Sequence, residues 1–168
     1  MLPANSDGSF EIAKLYNMTA VPAFTVWRSD ASVSDILDGI DFTKYTPVDA
    51  PEATGIFTAR AQSIQIKQMN LQNMIQGRDT LNTAKVTIRA SLRDAVIAIP
   101  AGASGASVSP GGASGVNVLN ACVRNATRIE KLLATASQIS DTTGTVTARV
   151  MGFEGSIQPS DIDAARAS

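Results

Sequence analysis

Apolar residues along this chain recur mainly at helical spacing, so helices are the first elements that the pattern predicts. Val33, Ile36, Leu37 and Ile40 fall at i, i+3, i+4 and i+7, the stripe that one face of a helix buries. Ser32-Val33-Ser34-Asp35 precedes them as a capping-box pattern with Asp as the reciprocal partner, and Gly39 and Asp41 end the element early. A long helix is expected over Ile56–Gln76, with Phe57, Ala61, Ile64, Leu71 and Ile75 along one side. The cap, proline and acid of Asp49-Ala50-Pro51-Glu52 start it, Gly55 marks an irregularity, and Gly77 supplies its C-cap. A second long helix begins at Asn82 or Thr83, buries Ile88, Leu92, Ala95, Val96 and Ile99, and closes at Pro100. The third is expected from Val116 to Thr135, on the stripe of Leu119, Cys122, Ala126, Ile129, Leu133 and Ala136.

Shorter elements flank these. Asp7 can cap a helix over Ser9–Met18 whose apolar face is Phe10, Ile12, Ala13, Leu15 and Tyr16, and Pro22 stops its continuation. Ser160 to Asp163 opens a final helical turn, and Phe42 to Pro47 reads as an ordered loop. Phe24–Arg28 (FTVWR) and Thr145–Phe153 (TVTARVMGF) are β-prone and are expected to pair as a small sheet. The fold class predicted from this pattern is mainly α. It is an antiparallel bundle of three long helices with short N- and C-terminal helices and a minor two-stranded β element, in one domain over residues 1–168.

Residues 100–115, PAGASGASVSPGGASG, interrupt the periodicity. Small side chains cannot repay the entropy of ordering, so the stretch reads as a flexible loop between two helices. Val108 and Pro110 near its middle give it an apolar tip that a neighbouring subunit can hold.

Polar positions inside the first long helix change the picture most. Ile56–Gln76 holds Gln62, Gln65, Gln68, Gln72, Gln76, Asn70 and Asn73, with Arg60 and Lys67 as its only charges. A solvated helix gains from charged pairs, whereas amides suit a face that meets other protein, because they hydrogen-bond without the cost of burying an ion. Gln65, Gln68 and Gln72 are therefore candidate subunit-interface residues, together with Val108 and Pro110. The composition agrees: 44% of residues are hydrophobic but only 5% aromatic. That predicts a thin core to which neighbouring subunits add stability.

Charge is segregated along the chain. Residues 1–52 carry eight acids and three bases, residues 53–133 nine bases and three acids, and residues 134–168 four acids and two bases, for a net −1. An acidic and a basic face allow copies to meet head to tail, a contact that closes into a ring when the rotation permits. Arg89 and Arg93, and then Arg124, Arg128 and Lys131, form two basic ridges on their predicted helices. Pairing with the acidic N-terminal third is favoured over DNA for these ridges, because the region lacks stacking aromatics.

Little else offers chemistry. Histidine is absent and Cys122 is the single cysteine, so no zinc set, Cys-His pair or Ser-His-Asp triad can form. Cys122 reads as a small buried hydrophobe. The GASG repeats match neither a nucleophile elbow nor a dinucleotide fingerprint. Asp35, Asp38 and Asp41 share a helical face, but their spacing is not that of a calcium loop and they read as a solvated acidic surface. No catalytic residue, metal site or cofactor is expected. No apolar run approaches the ~20 residues a membrane span needs. With no secretion signal, the sequons at Asn17 and Asn125 are chance matches and the chain reads as cytosolic when made.

Four blocks, FTVWRSDASVSDILDGIDF, TIRASLRDAV, NACVRNATRIEKLL and MGFEGSIQPSDI, resemble a group of small structural proteins encoded among the head and tail genes of tailed bacteriophages. The resemblance covers most of the chain, and it implies a virion component with no catalytic residues to carry over. A head-to-tail adaptor of the neck, forming a ring between portal and tail, is the expectation it favours. Capsid decoration and a DNA-contacting or regulatory role are the alternatives, and decoration would bring more β structure. The implied partners are copies of the chain and the portal and tail proteins, with incidental contact to packaged DNA and no membrane or small-molecule substrate. The implied location is the virion, and the host cytoplasm during assembly. The family pattern also leaves room for a segment upstream of MLPANSDG.

Overall fold

Ser32 opens its helix as its sequence context predicts, with its hydroxyl accepting the Asp35 N–H at 3.3 Å. The computed structural model describes residues 6–46, 59–101, 106–135 and 138–168. The expected cap at Asp49–Glu52, the irregularity at Gly55, the helix start with Phe57, and Ala136 lie outside them. The first described elements are α1 (Ser6–Asn17), β1 (Thr25–Trp27), β2 (Ala31–Ser32), α2 (Val33–Asp38), a 3₁₀ turn at Phe42–Tyr45, and α3 (Ala59–Ile75). After β3 (Thr80–Leu81) and α4 (Val86–Ala95), a second 3₁₀ turn at Ala113–Gly115 leads into α5 (Val116–Ala121). The chain then forms β4 (Val123–Asn125), α6 (Arg128–Leu133), β5 (Ser140–Thr143), β6 (Val146–Arg149) and α7 (Pro159–Ala167).

This is a mixed α/β fold, not an antiparallel bundle of three long helices: the described residues hold seven helices, a four-stranded mixed sheet and a two-stranded sheet. The four-stranded sheet runs β4-β1-β6-β5, and the smaller one pairs β2 with β3, Ala31 opposite Leu81. The expected pairing of FTVWR with TVTARVMGF does occur, as β1 parallel to β6 with Val26 opposite Arg149, but a further strand flanks each.

The decisive departure is in Val116–Thr135, where one helix was expected and α5, β4 and α6 are found. Thr127 restarts the helix through a complete capping box, its hydroxyl accepting the Glu130 N–H while the Glu130 carboxylate accepts the Thr127 N–H at 2.8 Å. Just before it, the Ala126 N–H bonds the Phe24 carbonyl and the Ala126 carbonyl accepts the Ala20 N–H, both at 2.9 Å. Backbone groups engaged in such a ladder are not available to an α-helix. The second expected helix is also shorter, ending at Ala95; Ala98 adopts φ 54 and Ile99 pairs with Val108.

Two compact units make up the chain. One comprises Met1–Val26, Arg124–Ser140 and Ala148–Ser168; the other comprises Trp27–Val123 and Asp141–Thr147. Val26, Ala126 and Met151 form a small core in the first, with Phe24 and Ala134 packed against it. In the second, Trp27, Ile36, Leu81, Leu92, Val96, Ile99, Val118 and Leu119 are buried. Full burial of such side chains contributes roughly 1.5–3 kcal/mol each.

The small-residue loop is not an open excursion over its described part. Val108 and Ile99 exchange backbone hydrogen bonds at 3.0 and 2.9 Å, the Gly111 N–H bonds the Val96 carbonyl, and the Pro110 carbonyl accepts the Asp41 N–H. Pro110 is fully buried within its own chain and Val108 is half-buried, so Pro110 is not an exposed tip for a neighbour. Residues 102–105 lie outside the described set. Gly111 is required by packing: an added Cβ would lie 2.4 Å from the Val96 Cγ2. Gly111→Ala is expected to cost about 1–3 kcal/mol through overpacking, read as a lower thermal midpoint; an unchanged midpoint would show that the loop yields freely.

Candidate functional site

The long helix α3 spends both of its charges inward. Arg60 is buried and donates from Nε to the Thr46 carbonyl at 3.2 Å, from Nη1 to the Pro100 carbonyl at 2.8 Å and from Nη2 to the Lys44 carbonyl at 3.4 Å. Lys67 donates to the Asp94 carbonyl and lies 3.8 Å from the Asp94 carboxylate. Only Arg60, Ile64 and Leu71 of α3 are buried. The exposed remainder is amide and apolar: Gln62, Gln65, Gln68, Asn70, Gln72 and Asn73 are exposed, and Ile66 and Met69 are 54% and 52% exposed.

A groove lies on each flank of this helix. One, of about 450 Å³, is lined by Tyr45, Ile64, Gln65, Gln68, Met69 and Gln72 among others. The other, of about 550 Å³, runs between Asn70, Asn73 and Met74 of α3 and Ala90, Ser91 and Asp94. The Tyr45 hydroxyl donates to the Ala95 carbonyl at 2.8 Å, and burial pushes its pKa up to about 12, so it is no general acid near neutrality. A surface of amides and two thioether- or alkyl-bearing residues offers hydrogen bonds and apolar contact without an ion to desolvate. That suits a protein partner. The predicted interface residues Gln65, Gln68 and Gln72 sit together on it; Val108 and Pro110 do not line it.

Arg89 and Arg124 do not lie on exposed basic ridges, whereas Arg93, Arg128 and Lys131 are partly exposed. Arg89 is completely buried: Nη1 donates to the carbonyls of Thr83 and Ala84 at 2.7 and 2.9 Å, Nε to the Thr143 hydroxyl at 3.2 Å, and Nη2 to the Asp141 carboxylate. Its guanidinium carbon stands 4.3 Å from the Trp27 ring centroid, a cation–π contact. Burial pulls its pKa below the ordinary arginine value. Arg93 is half-buried beside Gly115, with Nε out of solvent and no hydrogen-bond partner in the structure. Arg124 is in β4, not on a helix, and forks onto Glu130 at 2.7 and 2.8 Å with Glu154 at 3.4 Å. Arg128 and Lys131 are on α6, where the Lys131 ammonium donates to the Pro22 carbonyl at 2.9 Å.

The Arg89 network was legible in part. Arg89, Leu92 and Val96 fall at i, i+3 and i+7, which places the arginine on the buried stripe, and Trp27 is the only tryptophan. The Glu130 centre had a plainer signal in Thr127-Arg128-Ile129-Glu130, a capping-box pattern that the longer periodicity concealed.

Among the described residues no group of three or more His, Cys, Asp or Glu could hold a metal ion. Asp41 instead caps the first 3₁₀ turn, accepting from the Thr43 N–H at 3.1 Å, and Asp35 lies 3.8 Å from Arg28. Burial pushes the Cys122 thiol up to about 11, and it donates to the Val118 carbonyl, which describes an inert side chain. No described helix is long and apolar enough to cross a membrane. Compared with known protein families, curated proteins and solved structures, the chain matches none.

Proposed function

We propose that this protein is a structural, non-catalytic component of a tailed-bacteriophage virion, an adaptor of the head-to-tail region that assembles with copies of itself through the exposed face of α3. The observation that carries the assembly reading is the neutral amide surface of α3, with Ile66 and Met69 more than half exposed and both helix charges turned into the chain. The four sequence blocks named above support the virion assignment, and contact with the portal and tail proteins belongs to the same reading. A DNA-contacting role draws little support, since Arg89 is buried and Arg124 is paired with two carboxylates. The four-stranded sheet favours capsid decoration as a second reading, because that role is expected to bring more β structure.

Replacing Gln65, Gln68 and Gln72 together with Glu places three like charges on this face. Sedimentation over a range of concentrations, and incorporation into particles when the variant gene replaces the original, are the measurements. Loss of association by tenfold or more is expected, with the far-ultraviolet circular dichroism unchanged because all three side chains are exposed. Normal incorporation would remove α3 as an interface.

A further inference from the structure

Helix α3 carries two stripes, and its own chain packs on one of them. Arg60, Ile64 and Leu71, at i, i+4 and i+11, are buried. Ala59, Gln62, Ile66, Met69, Asn73 and Gln76 follow one another at alternating steps of three and four, and all are exposed. Gln76 keeps the helical turn just past Ile75, its N–H bonding the Gln72 carbonyl at 2.8 Å. At about 3.6 residues per turn the second stripe lies on the opposite side of the helix from the first. Steps of three and four are the spacing by which one helix packs lengthwise on another, each side chain entering a hole on the partner.

The stripe also reads alike from both ends. Place a two-fold axis between Ile66 and Met69 and run a second α3 antiparallel to the first. Ile66 then meets the second copy's Met69, Gln62 its Asn73, and Ala59 its Gln76. Apolar side chains fill the centre and amide meets amide outside it. The flanks match as well, with Gln65 facing Gln72 and Ser63 facing Asn70. Neither the stripe nor its flanks hold a charge, because Arg60 and Lys67 are bonded to their own chain. Two copies therefore bring no like charges together, and each amide both donates and accepts. A partner with ions on its face would lose their hydration against neutral amides that carry no counter-charge. A second α3 fits without that cost, and the antiparallel arrangement opposes the two helix dipoles.

We infer that α3 pairs antiparallel with α3 of a second copy along the Ala59–Gln76 stripe, with Ile66 and Met69 as its central layer. This rests on the assembly reading above and deepens it, giving the α3 contact an orientation and a register. A two-fold contact is satisfied by two copies, so α3 builds a pair and any larger assembly uses further surfaces. The stripe covers about two and a half heptads, fewer than a free-standing coiled coil sustains, so the pair forms at high protein concentration and in particles.

Full-length Gln62→Cys and Asn73→Cys chains, mixed, concentrated and oxidised, test the register on non-reducing gels, as purified protein and in particles. Both positions are exposed, and the native Cys122 is buried. In the antiparallel register the Gln62 residues of two copies stand about 16 Å apart along the helix axis, beyond the reach of a disulfide. A band of doubled mass is therefore expected from the mixture and from neither variant alone. A band from each variant alone would show parallel alignment and overturn the inference, as would no band from the mixture. Charge exchange gives a readout independent of disulfide geometry. Ile66→Glu and Met69→Lys should each weaken association, read by sedimentation, by about tenfold or more, since each puts an unpaired charge into the apolar layer. Mixed in equal amounts they should regain it, because the register sets glutamate opposite lysine. A mixture no stronger than either variant overturns the inference. Association lost in the Gln65, Gln68 and Gln72 variant, without recovery in this mixture, removes the register and leaves α3 as an interface. Unchanged association in that variant removes both.

Discussion

Arg89→Ala is expected to destabilise the protein by about 3–5 kcal/mol, the scale of truncating a large, fully buried side chain and leaving its buried hydrogen-bond acceptors without a donor. The side chain is fully buried and satisfies two backbone carbonyls, a hydroxyl and a carboxylate while covering the Trp27 ring. Truncation leaves those acceptors without a donor and opens a cavity against the only tryptophan, so the effects reinforce each other. Arg89→Lys keeps the charge but loses the planar fork, and an intermediate loss is expected. Urea denaturation followed by Trp27 fluorescence measures both. A loss under about 1 kcal/mol for the alanine variant would show that water or neighbouring groups replace the guanidinium easily. A basic residue acting on an external phosphate would instead be neutral to folding.

Stability should also fall in acid through Glu130. Burial alone would raise the pKa of this 2% exposed carboxyl, but the Arg124 fork and the N–H groups of Thr127 and Gly155 outweigh it and hold the value at about 2, from an ordinary 4.5. The folded state therefore binds fewer protons than the unfolded state between those two values. Its contribution is complete above pH ~4.5 and is lost as pH falls toward ~2. A shift of this size corresponds to on the order of 3 kcal/mol. Glu130→Gln is expected to be less stable than the original by about that amount at pH 7, with the gap narrowing steadily below pH ~4.5. Denaturant midpoints of both proteins between pH 7 and pH 2 decide it. A gap that stays constant into strong acid would mean that the glutamine loses packing or capping, not charge.

The sequence by itself determined the local elements whose signals lie within a few residues. Ser32 caps α2, Gly77 follows α3 at φ 69, and the β-prone segments around Val26 and Arg149 find each other. It also determined that α3 would carry amides where other helices carry ions, since that is a property of side-chain identity. What it left undecided were competitions between a local pattern and a distant partner. From Val116 to Thr135 the apolar spacing supports a continuous helix, yet Ala126 bonds backbone groups of Ala20 and Phe24, about a hundred residues earlier. Helix periodicity records only which residues share a face, and it is silent on a strand arriving from elsewhere. The two arginine ridges failed for the same reason. Spacing put Arg89 beside Arg93 and Arg124 beside Arg128, but burial next to Trp27 and a restart of the helix at Thr127 are tertiary events. Only the folded chain brings Asp141 and Glu154 within reach, and only there do Arg89 and Arg124 turn to carboxylates of their own chain while the amide-rich helix α3 becomes the open face.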